Sequence, residues 1–135
     1  MSYLLDVNFL LACAWASHAR HRAARAWLER QSAFVTCPFT EVGFIRVSLT
    51  PGFRASLPDA KEALADITSR RQARFLPADV SANELPAFVG HAEATDAYLV
   101  ALAKKHGMKL ATLDESLCLK PWAQPIAISP LRSGR

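Results

Sequence analysis

Four carboxylates stand where an apolar run ends or a helical pattern begins: Asp6, Glu41, Asp96 and Asp114. In an open parallel α/β sheet the C-terminal ends of strands and the N-terminal ends of the following helices share one edge, and ligands bind in the crevice there. Acids from four distant segments would meet at that edge. Like charges so gathered raise one another's pKa values and repel unless cations neutralise them. Magnesium or manganese suits such a cluster, because hard oxygen donors prefer hard ions. Each acid taken singly has a plainer use, since Asp and Glu at helix N-termini satisfy backbone N–H groups and oppose the dipole. Their grouping is what points to metal chemistry.

The elements that would position these acids can be read along the chain. Residues 2–5 form a short apolar run, a first strand, and Asp6 falls where it gives way to the helical Phe9-Leu10-Leu11-Ala12. A second helix spans His21 to Gln31, with Ala24, Trp27 and Leu28 on one face and Arg22, Arg25, Glu29 and Arg30 on the other. Phe34 to Cys37 is a second strand, and Thr40 is a candidate helix N-cap before Glu41. Gly43 inside that helix suggests a close packing contact. Another helix starts near Pro58, a third strand holds Phe75-Leu76, and a short helix is expected within Ser81–Phe88. Thr95-Asp96 opens a helix that Gly107 ends, Met108–Leu113 is a buried strand, and Ile126–Ile128 an edge strand. Ser129 to Arg135 reads as a frayed basic tail. Strands alternating with helices predict an α/β fold, a central parallel sheet with helices on both faces.

A chain of 135 residues, 51% of them hydrophobic, is expected to form one domain over residues 1–135. Its apolar stretches are too short to span a bilayer, and no basic region precedes Leu10–Ala16 as in a signal peptide, so no membrane association and a cytoplasmic location are expected. Cys13, Cys37 and Cys118 are odd in number and widely spaced, which fits reduced, buried thiols. Lys and Arg number 16 against 12 Asp and Glu. With four acids committed to a pocket, eight remain against 16 bases, and a polyanion becomes a fitting partner.

The segments Leu4-Leu5-Asp6-Val7-Asn8-Phe9, Pro38-Phe39-Thr40-Glu41-Val42-Gly43-Phe44, Thr95-Asp96-Ala97-Tyr98-Leu99 and Leu110-Ala111-Thr112-Leu113-Asp114 resemble the four motifs of PIN-domain ribonucleases. The likeness runs from Leu4 to about Ile128 and is nearest to VapC toxins of type II toxin–antitoxin systems. It implies a PIN-like α/β/α sandwich and an endoribonuclease dependent on Mg2+ or Mn2+. Asp6, Glu41, Asp96 and Asp114 would be its catalytic and metal-binding residues, with Asn8 and Thr112 in support. Hydrolysis by a metal-activated water would follow. The resemblance also implies an RNA substrate, a VapB-like antitoxin and a homodimer; Phe44, Val47 and Phe53 are candidate dimer-surface residues, and Arg22 and Arg25 candidate RNA contacts.

Other chemistries find less support. His18 and His21 lack further ligands at zinc spacing, no G-x-S-x-G surrounds a serine, and the glycines form no phosphate-binding loop. Two alternatives stay open: a phosphatase-like α/β domain using Asp6, and an inactive PIN-fold module that binds RNA or protein. Asp6-Val7-Asn8 lacks the second Asp expected of the former, and the complete quartet opposes the latter.

Overall fold

The computed structural model describes residues 1–88 and 90–131. Its first strand, β1 (Tyr3–Leu5), runs directly into α1 (Val7–Ala14), and α2 (His21–Glu29) leads to β2 (Phe34–Thr36). Two helices, α3 (Pro38–Ser48) and α4 (Leu57–Thr68), precede β3 (Ala73–Phe75). Short 3-10 turns at Ala82–Glu84 and His91–Glu93 lead to α5 (Ala94–Lys105), β4 (Lys109–Ala111), α6 (Glu115–Cys118) and β5 (Ala127–Ile128). The strands form one sheet in the order β3-β2-β1-β4-β5, with every neighbouring pair parallel.

Side-chain alternation along these strands divides the core into two layers. Leu4, Val35 and Leu110 point to one face and pack with Leu99, Val100, Leu102 and Ala103 of α5. Leu5, Phe34 and Ala111 point to the other, against Phe9 and Leu10 of α1, Leu28 of α2, Phe44 of α3 and Ile67 of α4. Helices therefore cover both faces, as the alternating pattern predicts. Because β1 is central, the chain that leaves it at Asp6 emerges in the middle of the strands' C-terminal edge.

The expected close contact at Gly43 is present: a Cβ there would stand 2.6 Å from Val7 Cγ2, so α3 and the start of α1 touch through the missing side chain. Gly107 has φ +68, the left-handed conformation expected of the residue that ends α5.

Several expectations need correction. Cys37, not Thr40, is the N-cap of α3; Thr40 lies at the third helical position, where its hydroxyl accepts from the Cys37 backbone N–H at 3.0 Å. Pro38, with φ already suited to a helix, starts α3 three residues earlier than an N-cap at Thr40 would have. Phe44 is completely buried, and Val47 and Phe53 pack against the same core layer, so Phe44 is closed to any partner. Cys13 and Cys37 are buried, but Cys118 is only half-buried. The tail is anchored further than its composition suggests: Leu131 packs against the α1 layer, and its carbonyl accepts a hydrogen bond from Arg20. The remainder of that tail, 132–135, lies outside the described residues.

Candidate active site

Asp6 follows β1 and is the N-cap of α1. Its Oδ1 accepts from the Val7 N–H at 2.8 Å and its Oδ2 from the Thr112 hydroxyl at 2.8 Å, so the carboxylate is fixed from both sides although only 6% of the residue is exposed. Burial raises its pKa above the ordinary carboxylate range, with Asp114 adding to the rise and the hydrogen bonds from Thr112 and Val7 opposing it. Thr112 sits just past β4 and holds more than Asp6. Its oxygen also accepts from the Asp114 N–H at 3.1 Å and the Asn8 amide at 3.2 Å, while Asn8 Oδ1 accepts from the Leu113 N–H at 3.0 Å. Asn8 and Thr112 thus fasten the start of α1 to the turn after β4 and orient two of the acids.

Asp114 is the N-cap of α6, its Oδ1 accepting from Ser116 N, Ser116 Oγ and Leu117 N. Asp96 lies in the first turn of α5 and, among the described residues, receives no hydrogen bond. Its pKa is pushed up to about 6, first by burial and then by Asp6, Asp114 and Glu93. Asp6, Asp96 and Asp114 therefore lie within electrostatic reach of one another, as the sheet-edge reading requires. Glu41 occupies the first turn of α3, where Thr36, at the end of β2, donates to its Oε2 at 2.7 Å. Glu41 shares the edge, flanking the three aspartates from the β2 side. Capping and grouping coexist here, because Asp6 and Asp114 cap their helices and still face a common crevice.

Sequence reasoning missed Thr36, Ser116 and Glu93. Glu93 adds negative charge beside Asp96 and is tied to Lys120 at 3.0 Å. Its signal was its position one helical turn before Asp96, obscured by placing the helix start at Thr95 rather than Ala94. Of the candidate RNA contacts, Arg22 is exposed, whereas Arg25 gives its guanidinium to Asp66 at 2.8 Å and approaches Glu29 at 3.7 Å. Beside Asp6 and Asp96 runs a groove of about 330 Å³ lined by Val7, Pro38, Phe39, Val42, Arg46 and Thr95.

The donor set fits a divalent cation. Among the described residues no Lys, Arg or His forms an ion pair with Asp6, Glu41, Asp96 or Asp114, so those residues leave the charge gathered here uncompensated. All the donors are carboxylate oxygens, the type that Mg2+ and Mn2+ favour. The described His, Cys, Asp and Glu side chains form no closed set of three ligands; the acids share an edge without converging on a point.

Residues 3–122, which contain all four acids and the five-strand parallel order as far as β4, match the PIN domain family. The chain belongs to it. Two relatives narrow the branch within that family: Ribonuclease VapC38 of Mycobacterium tuberculosis is 41% identical over 118 residues, covering 82% of this chain and 84% of its own. Ribonuclease VapC29 of the same species is 38% identical over 120 residues, covering 87% and 89%. This PIN-domain chain is therefore a member of the VapC ribonuclease group. Solved structures agree on the fold. VapC20 of M. tuberculosis, described as a toxin that cleaves the sarcin-ricin loop, superposes with a TM-score of 0.58 at 19% identity over 82% of this chain and 87% of that one. VapBC2 of Rickettsia felis, solved on a DNA fragment from its promoter, gives a TM-score of 0.63 at 11% identity over 96% and 98%.

Proposed function

We propose that this PIN-domain VapC-type ribonuclease is the toxin of a type II toxin–antitoxin pair and hydrolyses RNA phosphodiester bonds at the edge formed by Asp6, Glu41, Asp96 and Asp114, with Mg2+ or Mn2+ as cofactor. The observation that carries the reading is three aspartates within electrostatic reach of one another, one of them buried, with no ion pair to a cationic side chain among the described residues. When bound, such an ion supplies Lewis acidity toward the phosphate and lowers the pKa of water. The chain's own part is positional. Thr112 and the Val7 N–H hold the Asp6 carboxylate in one orientation, Thr36 aims Glu41, and α6 holds Asp114 through three hydrogen bonds. A phosphatase-like role for Asp6 is disfavoured, because Asn8 stands two residues on where that chemistry expects a second Asp, and Asn8 is engaged with Thr112 and Leu113.

The reading takes residues 1–135 as one domain working in the cytoplasm; no described helix is long and apolar enough to cross a membrane. The RNA-facing cations it requires are Arg22, which is exposed, and Arg46 beside the groove, whereas Arg25 would have to leave Asp66 to take part. A homodimer would use the outer stripe of α3 in place of Phe44: Phe39, Val42 and Leu49 are 49%, 67% and 45% exposed on one side of that helix. A VapB-like antitoxin can silence the site by placing an arginine in the crevice, where a guanidinium forms paired hydrogen bonds with carboxylates.

The test is cleavage of cellular RNA by the purified protein with Mg2+ or Mn2+ and with excess EDTA. Cleavage that needs the ion and disappears in Asp6→Asn supports the reading. Cleavage that survives EDTA ends it.

A further inference from the structure

Of the phenylalanines in the described residues, Phe9, Phe34 and Phe44 are fully buried, whereas Phe75 at the end of edge strand β3 is 58% exposed. Phe39, also exposed, has the ring of Tyr98 against it at 4.8 Å; among the described residues no aromatic ring meets Phe75. Its position follows from register. Phe75 pairs with Thr36 across the parallel β2–β3 ladder, and partners in a parallel ladder point to the same face. Thr36 is the residue whose hydroxyl holds Glu41. Two positions back along β3, Ala73 packs into the layer of Leu5 and Phe34, so Phe75 continues that face past the core to the edge where the acids gather.

We propose that Phe75 is a substrate-binding residue: a stacking platform for one unpaired base of a single-stranded RNA whose backbone passes Glu41 and the aspartates. This rests on the ribonuclease reading and adds to it the position at which one base of the substrate is held. An exposed ring one strand away from Thr36, the residue that holds Glu41, offers a flat apolar face on the strand-end side of the sheet, and every base has a π-face to lay on it. The basic surplus outside the pocket, 16 against eight, draws the backbone; the ring fixes where one nucleotide sits.

The probe is a mixed-sequence single-stranded RNA, labelled for fluorescence anisotropy and titrated with the full chain in EDTA so that no cleavage occurs. The control strand has the same length of sugar-phosphate without bases. Phe75→Ala is expected to weaken binding of the RNA about tenfold and to leave the abasic strand unchanged, and Phe75→Trp to restore the parent affinity. Equal affinity of parent and Phe75→Ala for the RNA overturns the proposal, as does an equal loss on both strands or no measurable binding of the RNA by the parent. Cleavage of cellular RNA by the parent in Mg2+ is scored separately. Its failure removes the ribonuclease reading and leaves the anisotropy result to decide on Phe75.

Discussion

Two clusters of charge on this molecule are built from similar numbers of side chains and come out opposite. On the surface between α2 and α4, Arg25, Glu29, Asp66 and Arg70 interlock: Arg25 meets Asp66 at 2.8 Å, Arg70 meets Glu29 at 2.8 Å, and longer contacts of 3.7 and 3.8 Å close the ring. The two arginines hold the Asp66 carboxyl below the usual range, with the Arg25 hydrogen bond the largest influence. At the strand ends, Asp6, Asp96 and Asp114 meet no cationic side chain in an ion pair among the described residues, and burial first, then neighbouring carboxylates, raises the pKa values of Asp6 and Asp96. The first cluster balances its charge within the chain, two arginines against two carboxylates, although the buried Arg25 Nε has no hydrogen-bond partner among the described residues. The second carries an electrostatic cost that a stable fold would shed unless something outside the chain offset it, and that cost is what supports the proposal that function resides there.

The strongest way to break this contrast is Asp96→Asn. RNA cleavage is expected to fall by about a thousandfold, the scale of removing a group that stabilises developing charge. A variant that retains parent activity would mean that the repulsion is incidental. Thr112→Val comes next. It keeps the shape but removes the hydroxyl that donates to Asp6 and accepts from the Asp114 N–H, and should lower activity by about 10- to 100-fold while circular dichroism stays unchanged.

Asp96→Asn also sharpens the comparison through stability. The folded pKa of about 6 lies above the ordinary 3.8, so at pH 7.5 the carboxylate is charged in both states and the charge costs the fold energy. As pH falls through about 6, the folded state takes up the proton and the cost goes. The variant should therefore be more stable than the parent by about 1–2 kcal/mol at pH 7.5 in EDTA, an advantage that shrinks to nothing near pH 4, measured by urea unfolding. The smallest effect is expected from the charge-balanced cluster. Asp66 has a lowered pKa, so its contribution is present at neutral pH and lost as pH falls through the folded value. With 61% of its side chain exposed, Asp66→Asn should cost no more than roughly 0.5 kcal/mol at pH 7. A larger loss there than the gain at Asp96 would reverse the distinction between the two clusters.

Much of the acidic edge was legible in the sequence because its signals are local. An apolar run stopped by Asp6 or followed by Asp114 is a strand reaching its C-terminal edge, and parallel order then puts those ends together. Information that depends on which way a helix faces was harder to read. Phe44 and Val42 are two residues apart on α3, yet one is buried and the other 67% exposed, because the helix rotates by about 200° between them. Apolar content alone made Phe44 a surface candidate. Thr36 and Glu93 were missed because each acts across an element boundary: Thr36 ends β2 and donates to Glu41 in α3, and Glu93 lies just before the first turn of α5, whose start was placed one residue late.

Asp114 ties the crevice to the C-terminal part of the chain. Its Oδ1 accepts the Ser116 and Leu117 backbone N–H groups that start α6 and the Ser116 hydroxyl besides, and α6 is a helix of only four residues with little cooperativity of its own. Replacing it with alanine therefore uncaps that helix as well as removing a charge, and the loss of activity would mix two causes. Asparagine keeps an acceptor at the same place. A detoxified form meant for crystallisation with an inhibitor, or for safe overexpression, is better made with Asp114→Asn, and hydrogen exchange at Ser116 and Leu117 would report whether the segment beyond the crevice has kept its shape.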